Sequence, residues 1–386
     1  RVLMKISRSI FAISVSLVLM SGCSIFSAND EIEPAKLQDF DQKTSLTRVW
    51  SAKPAVSNKS YWSTLKMAAS KQTLFTADHS GTVAALDVVT GSEKWSVNLD
   101  LPISGGLGFG DQKVVFGTIE GQVYSLNAED GSILWSSSVS SEVLSTPSVN
   151  SDIVVAQSID NRIYTFDAET GKELWQHDAG APILSVRGNS SSVILNNTVI
   201  AAFDNGKLIA FNSENGSLIW ETRLAVPKGR TELERMIDID GEPILVGDII
   251  YSVSYQGRLG ALTRGTGRNL WFQDSSSHFS PAYNEGKLFV AEAKNHSVKA
   301  FKAGNGQLLW NNDDLEYREL NGPAAFGNTV AVADAEGYLH LLDAGTGVFV
   351  ARTKVDGSGV SAPFLVVDET LLVQSNNGLV SAFKIQ

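Results

Sequence analysis

One short pattern recurs eight times along most of the chain, and no other feature limits the fold as tightly. Gly81-Thr-Val-Ala-Ala-Leu-Asp87 is followed by Thr90-Gly91 and then by Trp95. The run returns at Gly121–Asn127 with Gly131 and Trp135, at Asn161–Asp167 with Gly171 and Trp175, and at Gly206–Asn212 with Gly216 and Trp220. Two further copies are Gly257–Thr263 with Gly267 and Trp271, and His296–Lys302 with Gly306 and Trp310. In the copy at Gly337–Asp343 the turn glycine is Gly347, and Ala351 stands where Trp is expected. The last copy, Gly378–Lys384, meets Gln386 before any Trp segment. Successive turn glycines lie 40, 40, 45, 51, 39 and 41 residues apart.

A period of about 40–50 residues holding several short strands is that of a β-propeller. Within one unit, 146–149 reads as strand A, 152–157 as B, 162–167 as C and 172–176 as D, with period-two alternation in Ile163-Tyr-Thr-Phe. The C-to-D turn ends in Gly because a Cβ there opposes positive φ, and the Asp or Asn before it accepts bonds from the turn backbone. Arg48-Val49-Trp50-Ser51 looks like a D strand with no C strand ahead of it, so 46–52 is expected to complete the sheet begun by 361–385. The expected fold is all-β: an eight-bladed propeller of four-stranded antiparallel blades over 46–386, closed by the N-terminal strand. A seven-bladed ring requires one motif to be spurious. The repeated Trp50, Trp95, Trp135, Trp175, Trp220, Trp271 and Trp310 are expected to cover the seams between blades, each indole N–H finding a backbone carbonyl.

Composition narrows the partners. With 31 Lys+Arg against 42 Asp+Glu the net charge is −11, which argues against a nucleic-acid binder. There is 1 Cys, so neither an intrachain disulfide nor a thiolate metal cluster can form. That Cys follows a basic start (Arg1, Lys5, Arg8) and the apolar run Ile10–Met20, too short to span a bilayer and readable as a signal-peptide core. Met20-Ser21-Gly22-Cys23 resembles a bacterial lipobox, which implies a signal peptide over 1–22 and an acylated Cys23. Two or more acyl chains hold a protein stably on a membrane. By resemblance to enteric lipoproteins, Ser24 after the Cys implies outer-membrane sorting, and the polar, acidic stretch up to 45 reads as a flexible tether.

Catalytic chemistry is hard to find. No two of His79, His177, His278, His296 and His340 have metal-ligand spacing. His79 is expected to be solvated, and His296 and His340 to be structural. Gly105-Gly-Leu-Gly-Phe-Gly110 imitates a phosphate loop but leads into no helix, so it reads as a packed glycine segment. No nucleophile–base–acid constellation stands out, and neither a cofactor nor a metal is expected.

The full repeat, G-x-(V/L/I)-x-A-(L/F)-(D/N)-x-x-T-G-x-x-L-W, resembles that of the pyrroloquinoline quinone (PQQ) dehydrogenases. That likeness implies their propeller but not their activity, and the adjacent cysteines common beside their quinone have no counterpart here. Lipobox, acidic tether and eight such repeats together resemble the BamB family, the propeller lipoproteins of the outer-membrane β-barrel assembly (BAM) machinery. Leu184-Ser-Val-Arg-Gly188 and the run Gly229–Asp240 resemble that family's surface for the assembly protein BamA. The resemblance implies partner contacts by Leu184, Val186, Arg187, Asp238 and Asp240, with Val186 in place of the usual Leu. It implies a non-catalytic scaffold bound to BamA's periplasmic POTRA domains, held on the periplasmic face of the outer membrane, with nascent outer-membrane proteins as further clients. Both segments lie in D-to-A connections of consecutive blades, which emerge on one face, and the longest glycine spacing, 51 residues, lengthens the second. Arg187 has two readings, an internal ion pair or a partner contact; the apolar Leu184 beside it favours the contact. A periplasmic PQQ-dependent oxidoreductase and a ligand-binding propeller are the alternatives, both placing a ligand in the hub.

Overall fold

At seven of the eight seams between blades a turn glycine and a Trp do one joint task, and that task builds the ring. The computed structural model describes residues 33–54, 65–180, 190–225, 230–231 and 237–386. The compact unit that follows spans Ala35–Gln386. The described residues form eight four-stranded antiparallel sheets with no helix. In blade 3 the strands are Ser148–Val149, Ile153–Ser158, Arg162–Asp167 and Glu173–Asp178, within two residues of the sequence reading. Blade 8 is Leu365–Val367, Thr370–Gln374, Val380–Ile385 and, as its D strand, the N-terminal Leu46–Ala52. Leu46 pairs with Ile385 and Ala52 with Val380, so the two ends of the chain close the ring as expected.

Each Trp reaches from the D strand of one blade onto the next. The indole N–H of Trp50 donates to the Val88 carbonyl at 2.9 Å, Trp95 to Ala128 at 3.0 Å, Trp135 to Ala168 at 2.9 Å and Trp175 to Ser213 at 2.8 Å. Trp220, Trp271 and Trp310 bond Arg264, Ala303 and Ala344 in the same way. The ring of each Trp lies over the turn glycine of that next blade. A Cβ on Gly171 would sit 2.6 Å from the Trp135 ring, and its φ of +69° already disfavours a side chain. The glycine therefore serves its own turn and its neighbour's Trp together.

A bulge accompanies the lock. In blade 3 Thr165 pairs with Trp175 but Phe166 pairs with Glu173, so one D-strand residue, Leu174, has no partner. The same shift recurs in the first seven blades, and it leaves Leu134, Leu174, Ile219, Leu270 and Leu309 exposed just before each Trp.

The missing Trp has a local answer. The residue paired with Trp is small elsewhere (Ala85, Ser125, Thr165, Ala210, Ala261, Ala300 and Ala382). Opposite Ala351 it is Leu341, buried with Ala351 in the core shared by blades 7 and 8. Volume has moved from one strand to its neighbour.

At the hub the strands A of adjacent blades crowd together. A Cβ on Gly108 would meet the Pro147 carbonyl oxygen at 2.0 Å, and one on Gly110 the Val149 oxygen at 2.4 Å. Gly108–Gly110 is thus a close-packed inner strand, at the end of the packed glycine segment read from the sequence. His340 is fully buried, as a structural residue should be. His79 differs from expectation: its Nδ1 lies 2.7 Å from the Ile103 carbonyl, because the B-to-C turn folds back onto the next connection.

The N-terminal boundary also differs. Residues 35–45, read as tether, lie against the propeller: Leu37 and Phe40 pack on the core of blades 6 and 7, and the Lys43 N–H donates to the Val350 carbonyl at 2.9 Å. Polar composition hid two apolar anchors spaced three apart. The signal-peptide segment and Cys23 fall outside the described residues.

Replacing Trp135 by Ala is expected to cost about 3–5 kcal/mol, and by Phe, which keeps much of the ring and loses the bond, about 1–2 kcal/mol. Chemical denaturation of both variants measures this; equal losses would assign the whole effect to the N–H bond and none to the packing of the ring.

Candidate partner surface between blades 3 and 5

Blade 4 is Val193–Leu195, Thr198–Ala202, Lys207–Asn212 and Leu218–Arg223, and blade 5 opens with Ile244–Val246. The D-to-A connections on either side of blade 4 hold the residues singled out above. Of the first connection 179–180 and 190–192 are described, and Leu184, Val186 and Arg187 lie outside the described residues. Of the second, 237–241 is described and firmly seated. Ile237 and Ile239 are buried, the latter against Trp220 and Leu224. The Tyr255 N–H donates to the Asp238 carbonyl at 2.7 Å, bridging the connection to the B-to-C turn of blade 5.

The ends of the two connections meet. The Ser190 hydroxyl, at the end of the first, donates to the Gly241 carbonyl, at the end of the second, at 3.0 Å. Ser190 is fully buried, so this bond is shielded from water.

The two aspartates differ in position. Asp238 is 0% exposed, with its carboxyl among those of Asp204 and Asp240. Burial first, then the charges of Asp240 and Asp204, push the Asp238 pKa up to about 10. At neutral pH it is therefore a protonated, uncharged group. Asp240 lies nearer the surface, its side chain 15% exposed. Its Oδ2 is 3.0 Å from His278 Nδ1, and the His278 ring stacks on Tyr255 with centroids 4.1 Å apart. The site thus has a buried floor of carboxyl groups and a polar, aromatic upper layer.

Asp204, Tyr255 and His278 were not singled out in the sequence. Asp204 lies in a B-to-C turn one place after Phe203, which holds the position of Asp78 and Asp334 in their turns. Its meeting with Asp238 depends on how neighbouring connections sit. Tyr255 and His278 carried no signal, being a single turn residue and a single connection residue.

Among the described residues no group of three or more His, Cys, Asp or Glu side chains could hold a metal ion. In the hub, Lys66, before strand A of blade 1, donates to Glu242, before strand A of blade 5, at 2.6 Å. These blades are four places apart in a ring of eight, so the pair crosses the channel mouth. Beneath it lies a cavity of about 340 Å³ lined by Phe109, Thr146, Ser192 and Leu365 among others.

The family match follows this architecture. Residues 79–297 and 294–386 match the family described as "Outer membrane protein assembly factor BamB". A protein of that name from Pseudomonas aeruginosa is 46% identical over 98% of this chain and 98% of its own. One from Kangiella koreensis is 39% identical over 97% of this chain and 95% of its own. The chain belongs to the BamB family. The crystal structure of BamB from Moraxella catarrhalis superposes with a TM-score of 0.80 at 28% identity, covering 88% of this chain and 100% of that one. These BamB relatives are assembly factors, not enzymes. This protein is likewise not an enzyme, and the oxidoreductase reading of its repeat falls away.

The Asp238 pKa carries a sign. A carboxyl at the ordinary value of about 3.9 in the unfolded chain and raised in the fold holds its proton only when folded. Stability is then greatest at low pH and declines as pH rises from the unfolded value through the folded one, by at most about 1.4 kcal/mol per unit. Asp238→Asn should accordingly gain on the parent between pH 5 and pH 8 in thermal melts. A difference flat across that range would mean the carboxyl ionises normally in the fold.

Proposed function

We propose that the protein is a non-catalytic scaffold lipoprotein of the outer-membrane protein assembly machinery. In this reading acylated Cys23 holds it on the periplasmic face of the outer membrane. It docks onto the periplasmic POTRA domains of BamA through the connections that carry Leu184, Val186, Arg187, Asp238 and Asp240, and so assists folding and insertion of outer-membrane proteins. The names of its relatives support the assembly role.

The observation that carries the docking site is the bond between Ser190 and Gly241, which ties the ends of both connections into one patch. Apolar Leu184 and Val186 supply the area a contact centre needs, and Arg187 a multidentate donor. The carboxyls have separate roles. Asp240 can meet a partner at the surface, whereas buried Asp238 shapes the floor on which the connection rests.

This division decides the test. Charge reversal at Asp238 would disturb the fold, so Arg187→Glu and Leu184→Ser are the informative changes. Each should weaken co-purification of BamA from solubilised membranes about 30-fold or more, the effect of losing roughly 2 kcal/mol at a contact centre. Circular dichroism and melting temperature should stay at parental values. Unaltered recovery of BamA with both variants would remove this surface from the complex.

A further inference from the structure

Strand D of blade 8 begins at Leu46, beside Gln386, on the face of the ring that carries the C-to-D turns. The partner connections lie on the opposite face. A tether running straight from Leu46 would leave from the wrong side of the disc, but the chain does not take that course. Residues 35–44 cross the rim along blade 7, whose strands are Ala324–Phe326, Thr329–Ala333, Tyr338–Asp343 and Phe349–Lys354. The crossing starts at the Lys43 N–H on the Val350 carbonyl and ends at the Ala35 N–H on the Glu316 carbonyl, 2.9 Å each. Glu316 belongs to the D-to-A connection between blades 6 and 7, so Ala35 emerges on the face of the partner connections.

The crossing is held by groups that a passive tether would not need. Arg318, 5% exposed, donates through Nη1 to the Ala35 carbonyl at 2.9 Å, through Nε to Asp334 and through Nη2 to Glu336, both at 2.7 Å. Arg352 donates through Nη1 to the Gln38 carbonyl at 2.8 Å and covers the Phe40 ring at 4.9 Å. Fully buried His340 joins the two clamps. Its Nδ1 accepts from Arg352 Nε at 3.0 Å, which leaves Nε2 to donate to Asp334 at 3.1 Å. Burial would raise the Asp334 pKa, but the bonds from His340, Tyr338 and Arg318 outweigh it and hold the carboxylate ionised. Burying charge is expensive unless it is paired; Arg318 is paired with Asp334 and Glu336, and Arg352 is held by the Gln38 carbonyl, His340 and the Phe40 ring.

We propose that residues 35–44 are an orienting strap, which carries the membrane tether across the rim so that the lipid anchor pulls on the face bearing the partner connections. The inference rests on the proposed acylation of Cys23. It also shortens the leash: Cys23 and Ala35 are 12 positions apart (35 − 23), a reach of at most about 40 Å, against about 80 Å from Leu46. A leash that short on one face restricts how the disc can lie on a bilayer.

The test uses the full lipidated chain purified from membranes and reconstituted in phospholipid vesicles. A single new Cys carries a donor fluorophore either at Glu129, in a C-to-D turn of blade 2, or at Ser140, in the D-to-A connection of the same blade; both residues are exposed. A lipid-borne acceptor reports proximity to the bilayer. The Ser140 label should transfer energy at least twofold more efficiently than the Glu129 label. The paired change Leu37→Ser and Phe40→Ser, which alters only the strap, should bring the two signals together while the melting temperature stays within a few degrees. Arg318→Lys, which retains the charge and loses the fork, should narrow the gap in part. Vesicle-bound protein whose two labels transfer equally, or whose difference survives the strap variant, overturns the strap. Failure of the wild-type chain to float with vesicles overturns the anchor itself and the strap with it.

Discussion

A Trp stacked on a glycine of the next blade, its N–H on that blade's carbonyl, is the interaction from which the ring is assembled. Blades in a propeller share no backbone ladder, so the seams depend on side chains. Repeating one large amphipathic residue at a fixed place gives each seam apolar area and a direction, since the single N–H donor can be satisfied only in one register. Glycine is the necessary counterpart: any Cβ at Gly171 would enter the indole.

Much of this was legible in the sequence because it repeats. Blade number, the C strands, the closing strand Leu46–Ala52 and the carbonyl partner of the indole all follow from one motif and its period. The glycine as a docking surface for the neighbouring Trp was not read, because the two residues stand 35 (Trp271 to Gly306) to 47 (Trp220 to Gly267) positions apart in the chain. The exchange of Trp for Ala at 351 also had no visible counterpart. Leu341 is ordinary by composition and gains meaning only once it is paired with Ala351.

The candidate site was legible in part. The positions of Asp238 and Asp240 in a long connection, and its adjacency to the previous one, follow from topology. Their different depths do not. Alternation in Ile237-Asp-Ile-Asp240 suggests that the two aspartates point the same way, yet Asp238 is buried and Asp240 reaches the surface, because the segment is pinned to Tyr255 across the seam. The strap escaped for a different reason. Its clamps, Arg318, Arg352, Asp334 and His340, lie roughly 280–320 residues downstream of it, and a polar segment with only Leu37 and Phe40 as anchors resembles an unstructured one.

The closing sheet has a consequence for how the ring can assemble. Leu46–Ala52 pairs with Val380–Ile385, and the paired residues Ala52 and Val380 stand 328 positions apart (380 − 52), whereas the inner strands of a blade pair with near neighbours along the chain. Until these two distant segments meet, each presents an unsatisfied edge open to any passing β-strand. A circle fastened in this way can be sealed only after the intervening blades have brought its two distant strands together.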